Sequence, residues 1–393
     1  MTNVYLVSAA RTAIGSFGGA LKDQQPGELG AIPIRAAIER SGLAPELIEH
    51  VVMGSVVLTE PRDAYVARVA AITAGIPKEV PALTVNRLCG SGLQAIISAS
   101  QSIMLGDCNV AIGGGVEVMS RAAYYSPGTR WGQRMGDTVM LDGLNGALTD
   151  PFHKIHMGVT AENVAREYQI SRADQDALAL ESQQRAARAI AEGRFRDQIV
   201  PVEIKSRKGS VVFDTDEHVR MDAQASDLGS LKPVFQRENG TVTAGNASGI
   251  NDGAGAVLLA SEAAVREHGL APLARLVSYG HAGVDPAFMG IGPVPATRQA
   301  LERAGLSIDA LDVIESNEAF AAQACAVSKE LGFNSEKVNP NGSGISLGHP
   351  VGATGAIITT KLVYELQRSG GRFGLATMCI GGGQGIAAIW ERI

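Results

Sequence analysis

The sequence predicts an α/β protein built from two copies of one domain, with a further segment inserted between them. Three observations carry that prediction: short motifs recur in the same order, apolar strand-like runs alternate with helical patterns, and glycine is in large excess. The 393 residues exceed what one small domain needs. The 47 glycines make about 12% of the chain, against a usual share of about 7%. No Gly-X-Y period accompanies them, so the excess implies tight turns and close backbone approaches rather than collagen. With 45% apolar and only 19% charged residues, the chain has the material for a large packed core.

The repeat is read from four landmarks. Leu6-Val7-Ser8 recurs as Leu276-Val277-Ser278, and Ile38-Glu39-Arg40-Ser41-Gly42-Leu43 as Leu301-Glu302-Arg303-Ala304-Gly305-Leu306. Val85-Asn86 with Gly90-Ser91-Gly92 recurs as Val338-Asn339 with Gly342-Ser343-Gly344. Ile112-Gly113-Gly114-Gly115 recurs as Ile380-Gly381-Gly382-Gly383. Two copies are too few for a solenoid, so paired domains are expected.

Within each copy, Val4–Val7, His50–Met53 and Val110–Ile112 read as buried strands. Leu93, Ile96, Ile97, Ile103 and Met104 have helical spacing, as do Ile358, Leu362 and Leu366 before the stop at Gly370-Gly371. Strands alternating with helices place helices on the faces of a sheet. The stretch 119–249 has a different texture, rich in Arg, Asp, Gln and Met, with one long polar helix expected over 171–192. Ser171 and Asp174 form a possible capping box there, and Gly193 a possible end. The domain division is therefore 1–118 plus 250–270, an insert over 119–249, and 271–393. The Lys205-Ser206-Arg207-Lys208 cluster and Arg220 suit either a solvated surface or a phosphate contact.

Several function classes are disfavoured. A net charge of −6 leaves no general nucleic-acid footprint. The opening residues carry neither a basic stretch nor a long apolar run, and no uninterrupted apolar stretch approaches a membrane span. Four dispersed cysteines without a CxxC pair signal neither a zinc ribbon nor a disulfide scaffold, and point to a reducing cytoplasm. The GxGxxxG spacing around Gly342 misses the dinucleotide pattern by one residue, and no GxxxxGK[ST] loop exists.

Cys89 precedes Gly90-Ser91-Gly92 and an amphipathic helix. The partial positive charge of a helix N-terminus would lower its thiol pKa, while a plain buried cysteine is the structural alternative. His349, between glycines and Pro350, has the chemistry of a general base or of a loop tie. Cys379 falls opposite Ala111 in the repeat, a thiol where the other copy has a methyl. Cys108 and Cys325 read as structural. Asn317 reads as an N-cap for a helix starting near Ala319, or as a group that orients a water or an oxyanion. The two cysteines and His349 as zinc ligands have no support from their spacing.

Together Asn86-Arg87-Leu88-Cys89-Gly90-Ser91-Gly92, Asn317-Glu318-Ala319-Phe320, Gly348-His349-Pro350 and Cys379-Ile380-Gly381-Gly382-Gly383 resemble the thiolase family. The resemblance is to its acetyl-CoA acetyltransferase or β-ketothiolase branch, and especially to the bacterial enzymes that feed polyhydroxyalkanoate synthesis. Gly245-Asn246-Ala247-Ser248-Gly249 and His156-Met157-Gly158 fit as well. It runs from Arg11-Thr12 to the last strand. It implies the thiolase fold, two similar α/β domains in five αβαβα layers with an inserted loop domain. It also implies a ping-pong reaction on acetyl-CoA, 3-ketoacyl-CoA and CoA, no permanently bound cofactor, no metal and a homotetramer.

Carried over by residue, the resemblance makes Cys89 the acylated nucleophile and His349 its activator. His349 and a water held by Asn317 would stabilise one enolate-like oxygen. Cys379 would move the α-proton, and the N–H groups of Cys89 and Gly381 would hold a second oxyanion. Ser248 would contact the pantetheine arm; Met157, Met289 and Phe320 would line the acyl pocket. Leu148 and His156 join the CoA-binding set, with Arg220 at the nucleotide end. Val118 stands where the family commonly has Ser, and Ser316 where it has Ala. The alternatives are a condensing enzyme working on carrier-protein or malonyl units, and a non-catalytic acyl-CoA carrier.

Overall fold

The computed structural model describes residues 2–206 and 209–393, so Arg207 and Lys208 of the basic cluster lie outside the described residues. The N-terminal copy comprises β1 (Val4–Arg11), α1 (Pro26–Ser41), β2 (His50–Gly54), α2 (Val66–Thr73), β3 (Ala82–Val85), α3 (Ser91–Leu105) and β4 (Val110–Val118). The intervening segment contributes α4 (Met157–Glu167) and α5 (Arg172–Ala191), after which β5 (Asn251–Ser261) returns to the first sheet. The C-terminal copy holds β6 (Ala274–Gly283), α6 (Pro293–Ala304), β7 (Val313–Ser316), α7 (Ala321–Leu331), α8 (Thr354–Ser369), β8 (Phe373–Ile380) and β9 (Gln384–Arg392).

The two halves share one topology. Strand order is β1-β5-β4-β2-β3 in the first and β6-β9-β8-β7 in the second. In the second half a bridge from Ile314 to Val338 takes the place of the β2–β3 pairing. The halves join edge to edge where Tyr5 pairs with Arg275 and Leu6 with Ala274. The repeat extends to irregularities: pairing slips between Leu6 and Ser8 in one copy and between Leu276 and Ser278 in the other. The Ser8 hydroxyl donates to Ala37 O at 2.5 Å, and that of Ser278 to Ala300 O at 2.7 Å, at matching points of α1 and α6.

Strand alternation assigns the layers. Val257 and Leu259 of β5 face α3 and α8, while Ala256 and Leu258 face α1 and α2. In β9, Ile386, Ala388 and Trp390 face the same central helices, and Ala387 and Ile389 face α6. One core cluster thus holds Leu93, Ile96, Leu362, Leu366, Val257 and Trp390, with α3 and α8 between the two sheet halves. This is the αβαβα arrangement the family resemblance implies. The α3 region (88–105) has the length and mean hydropathy of a membrane span, yet Leu93, Ile96, Ile97 and Ile103 are packed into this core.

The glycine excess is used where α3 and α8 cross. A Cβ on Gly355 would fall 2.1 Å from Leu93 N, and one on Gly92 2.8 Å from Ala356 N. The fourth landmark is not a structural repeat: Ser8 and Ser278 pair with Leu258 and Ile389, which pair with Ile112 and Leu375, so Cys379 matches Val116 and not Ala111. Gly113, Gly114 and Gly115 continue β4, whereas Gly381–Gly383 turn the chain from β8 into β9, with φ of +79° and +83° at Gly382 and Gly383.

The polar helix α5 starts as its sequence predicts. Ser171 caps it, accepting from the N–H of Asp174, and Gly193 lies just past its end with φ +70°. Through Ser182, whose hydroxyl donates to Glu318 at 2.6 Å, α5 braces the second half near the site. Arg11 ties the same segment to β1 by a buried bidentate pair with Asp216 at 2.8 and 2.9 Å.

Candidate active site

Three loops at one end of the central helices bring the singled-out residues together. The first comes after β3. Asn86 Oδ1 accepts from Leu88 N at 2.9 Å, and Ser91 Oγ both accepts from Arg87 N and donates to Leu88 O. The turn holds Leu88 at φ +46°, a left-handed conformation costing roughly 1–3 kcal/mol in a non-glycine residue. It delivers Cys89 just ahead of α3, whose cap position is Gly90.

The second loop carries His349. Gly348 has φ +107°, and a Cβ there would lie 2.5 Å from Asn251 Cγ. Asn251 Oδ1 accepts the His349 N–H at 3.0 Å, while its amide donates to Gly15 O at 3.1 Å. The imidazole Nδ1 is 2.6 Å from Thr354 Oγ1, and Nε2 is 3.4 Å from Asn317 Nδ2. Burial holds the imidazole down at about 4, so it is neutral across the physiological range.

The third loop is the β8–β9 turn. Cys379, fully buried, is the penultimate residue of β8, and the Gly381 N–H donates to the Cys89 sulfur. Burial pushes the Cys379 thiol far up, and the neighbouring Cys89 adds to the shift. For Cys89 the surroundings reverse the effect expected of a helix terminus: burial raises its pKa, outweighing the N–H groups of Gly381 and of Cys89 itself, and Glu117 raises it further. A helix end lowers a thiol pKa only where the surroundings also solvate the anion. Here they are largely apolar.

Asn317 is not the helix cap the sequence allows for. The helix starts at Ala321 with Phe320 in the cap position. Asn317 instead directly follows β7, its N–H donating to Thr377 O at 3.0 Å, and its buried Oδ1 has no partner among the described residues.

Cys89 and His349 line one largely apolar cavity of about 330 Å³ together with Leu148, His156, Met157, Ser248, Met289 and Phe320. Cys379 packs behind its wall with Met157, Met289 and Phe320. His156 caps α4, its Nδ1 accepting from Gly158 N at 3.1 Å, and stacks on Phe235 at 4.8 Å. Arg220 is not brought there; it borders a separate small recess with Gln183 and His218. Val118 and Ser316 are buried away from this wall, so neither sets its polarity. No group of three His, Cys, Asp or Glu side chains among the described residues is placed to hold a metal ion.

Sequence reasoning passes over Thr354, Asn251 and Glu117. Thr354 stands five residues beyond His349 in the same glycine-rich segment, a proximity that marks it. Asn251 is 98 residues from its partner and has no local signal. Glu117 accepts from Val56, Val57 and Gly352 N–H groups, yet burial still holds it up at about 8.

The family models for the thiolase N-terminal and C-terminal domains match residues 4–263 and 270–392. The beta-ketothiolase BktB of Cupriavidus necator is 66% identical over 390 residues, covering 99% of each chain. The crystal structure of the Bacillus anthracis acetyl-CoA acetyltransferase superposes with a TM-score of 0.97 at 48% identity, covering 100% of this chain and 99% of the other. That of human mitochondrial 3-ketoacyl-CoA thiolase in complex with CoA gives 0.96 at 45% identity, covering 100% and 98%. With its duplicated fold and both halves matched, this chain belongs to the thiolase family.

Proposed function

We propose that the protein is a reversible acetyl-CoA C-acetyltransferase of the β-ketothiolase type, joining two acyl-CoA molecules into a 3-ketoacyl-CoA and CoA. The observation that carries the reading is one apolar cavity lined by the Cys89 thiol and a neutral imidazole, with a second thiol, Cys379, packed behind its wall. Relatives named as acetyl-CoA acetyltransferases and a beta-ketothiolase support an enzyme over a passive acyl-CoA carrier.

In the first half-reaction, His349 Nε2 takes the Cys89 proton as the sulfur attacks the thioester carbonyl, then returns it to the departing CoA thiolate. In the second, the Cys379 thiol would pass its proton to the neutral His349, and the resulting thiolate takes an α-proton from the next acetyl-CoA. The enolate displaces Cys89 from its acyl group, and the proton held by His349 ends on the Cys89 sulfur. Two bases are needed because the first thiol is consumed as a thioester. A weakly acidic thiol such as Cys379 is, once ionised, a strong base suited to a weakly acidic C–H.

Donors already aimed at the developing oxyanions lower both barriers. Protonated His349 and an Asn317-held water would serve one oxygen, and the Cys89 and Gly381 N–H groups the other. Ser248, His156 and Leu148 would flank the CoA arm, with Met157, Met289 and Phe320 around the acyl group. The enzyme would need no resident cofactor, work in the cytoplasm as a homotetramer, and serve polyhydroxyalkanoate precursor supply.

The test is incubation with acetyl-CoA followed by peptide mass mapping. An acetyl adduct on Cys89 is expected. Stoichiometric acetylation elsewhere, or acetoacetyl-CoA left intact in the presence of CoA, overturns the reading.

A further inference from the structure

The contacts around His349 determine where its proton resides. Thr354 Oγ1 has one hydrogen and two neighbours, Pro350 O at 2.9 Å and His349 Nδ1 at 2.6 Å. A carbonyl oxygen only accepts, so the hydroxyl hydrogen belongs to Pro350. That carbonyl is itself fixed, accepting the N–H groups of Ala353 and Thr354 at 2.9 Å each. The threonine oxygen must then accept, and Nδ1 must carry the hydrogen. On the far side the Asn317 amide donates to Nε2, which is satisfied only if Nε2 is bare. No other placement of hydrogens satisfies all three contacts.

We propose that Thr354 is a positioning residue that locks His349 in its Nδ1–H form, keeping Nε2 unprotonated as the acceptor of the Cys89 proton. The backbone side of the lock is Asn251, which holds the His349 N–H while anchored to Gly15. With the backbone pinned, turning the ring over would set a carbon against Thr354 and strand the buried Nδ1–H. The orienting group is a neutral hydroxyl rather than a carboxylate. It selects a tautomer without adding a charge that would hold a proton on the ring, so the imidazole passes its proton on to the leaving thiolate.

The inference rests on the reading of Cys89 as nucleophile, but one of its tests does not. In protein labelled with ¹⁵N-histidine, His349 should show a protonated Nδ1 and a pyridine-type Nε2; comparison with His349→Asn assigns its signals among the seven histidines. A protonated Nε2 in the parent overturns the lock, whatever the activity. In single-turnover acetylation of Cys89, Thr354→Val should slow acyl transfer at least about tenfold, within the ~10²–10⁴-fold that a general base contributes. Thr354→Ser should restore it to within about threefold. Parental speed in Thr354→Val, or a serine variant as slow as the valine one, overturns the proposal. Should Thr354→Val not fold, the parent spectrum and the serine variant decide. A parent that never acetylates Cys89 while showing the expected tautomer defeats the nucleophile reading and leaves the lock standing.

Discussion

The backbone N–H of Gly381, from the C-terminal half, donates to the sulfur of Cys89, from the N-terminal half. One hydrogen bond to a sulfur stabilises the anion, but the apolar walls disfavour it more, and Cys89 rests as a thiol beside a neutral His349. Alkylation of Cys89 by iodoacetamide should therefore climb with pH through and above the ordinary thiol value of 9.0. A flat, fast rate between about pH 5 and 7, the mark of a preformed thiolate–imidazolium pair, would contradict this arrangement.

Cys379→Ala should separate the two half-reactions. Acetylation of Cys89 persists within a fewfold of the parent, because the replaced thiol lies behind the cavity wall. Condensation falls by roughly 10²–10⁴-fold, the usual contribution of a positioned base. Single-turnover acetylation and steady-state thiolysis, measured on the same preparation, test the split. Equal losses in both would show that Cys379 supports the nucleophile rather than the second step.

Stability should depend on pH through buried histidines. Folding lowers His349 and His281 from 6.5 to about 4, so between these values the unfolded chain binds protons that the folded chain refuses. Their contribution is full above 6.5 and is lost as pH falls towards 4, by up to about 1.4 kcal/mol per pH unit for the buried His349 and by less for His281, which solvent partly screens. Glu117 slopes the other way: folding raises it from 4.5 to about 8, so its contribution is lost as pH rises through that range. Comparing urea midpoints of the parent and His281→Asn at pH 6.5 and 5 cancels the Glu117 part. The parent should lose more stability than the variant on acidification; equal losses would refute the assignment for His281.

Gly355→Ala should harm both fold and site. Its methyl group would meet backbone, Leu93 N at 2.1 Å, so α3 and α8 must part. Overpacking of this kind costs about 1–3 kcal/mol. Because Cys89 leads into α3 and His349 into α8, kcat for thiolysis should fall as well. Thermal unfolding and steady-state kinetics read the two effects, and a variant with parental Tm would show that the crossing yields at no cost.

The parts legible in the sequence are those with local causes. Ser171, Asp174 and Gly193 announce α5 because capping is settled within a few residues. The repeat is legible because like sequences make like hydrogen bonds, as Ser8 and Ser278 do. The Cys89 thiol misleads because its pKa depends on walls drawn from distant segments. Asn317 suggests a cap because Asn suits that position, and only tertiary packing moves the helix start to Ala321. The turn at Gly381–Gly383 and the strand at Gly113–Gly115 show the limit most directly: one tripeptide takes two conformations, extended within β4 and reversing between β8 and β9.

Joining both copies in one chain also has a genetic consequence. Two identical subunits that meet face to face must carry the same side chain at equivalent positions, since one coding sequence specifies both. In this chain, Val116 in β4 and Cys379 in β8 occupy matching places, opposite Ala254 and Gly385, but are encoded separately. One could therefore stay aliphatic while the other became a thiol, and the centre could be lopsided where a symmetric pair would have to hold two thiols or none.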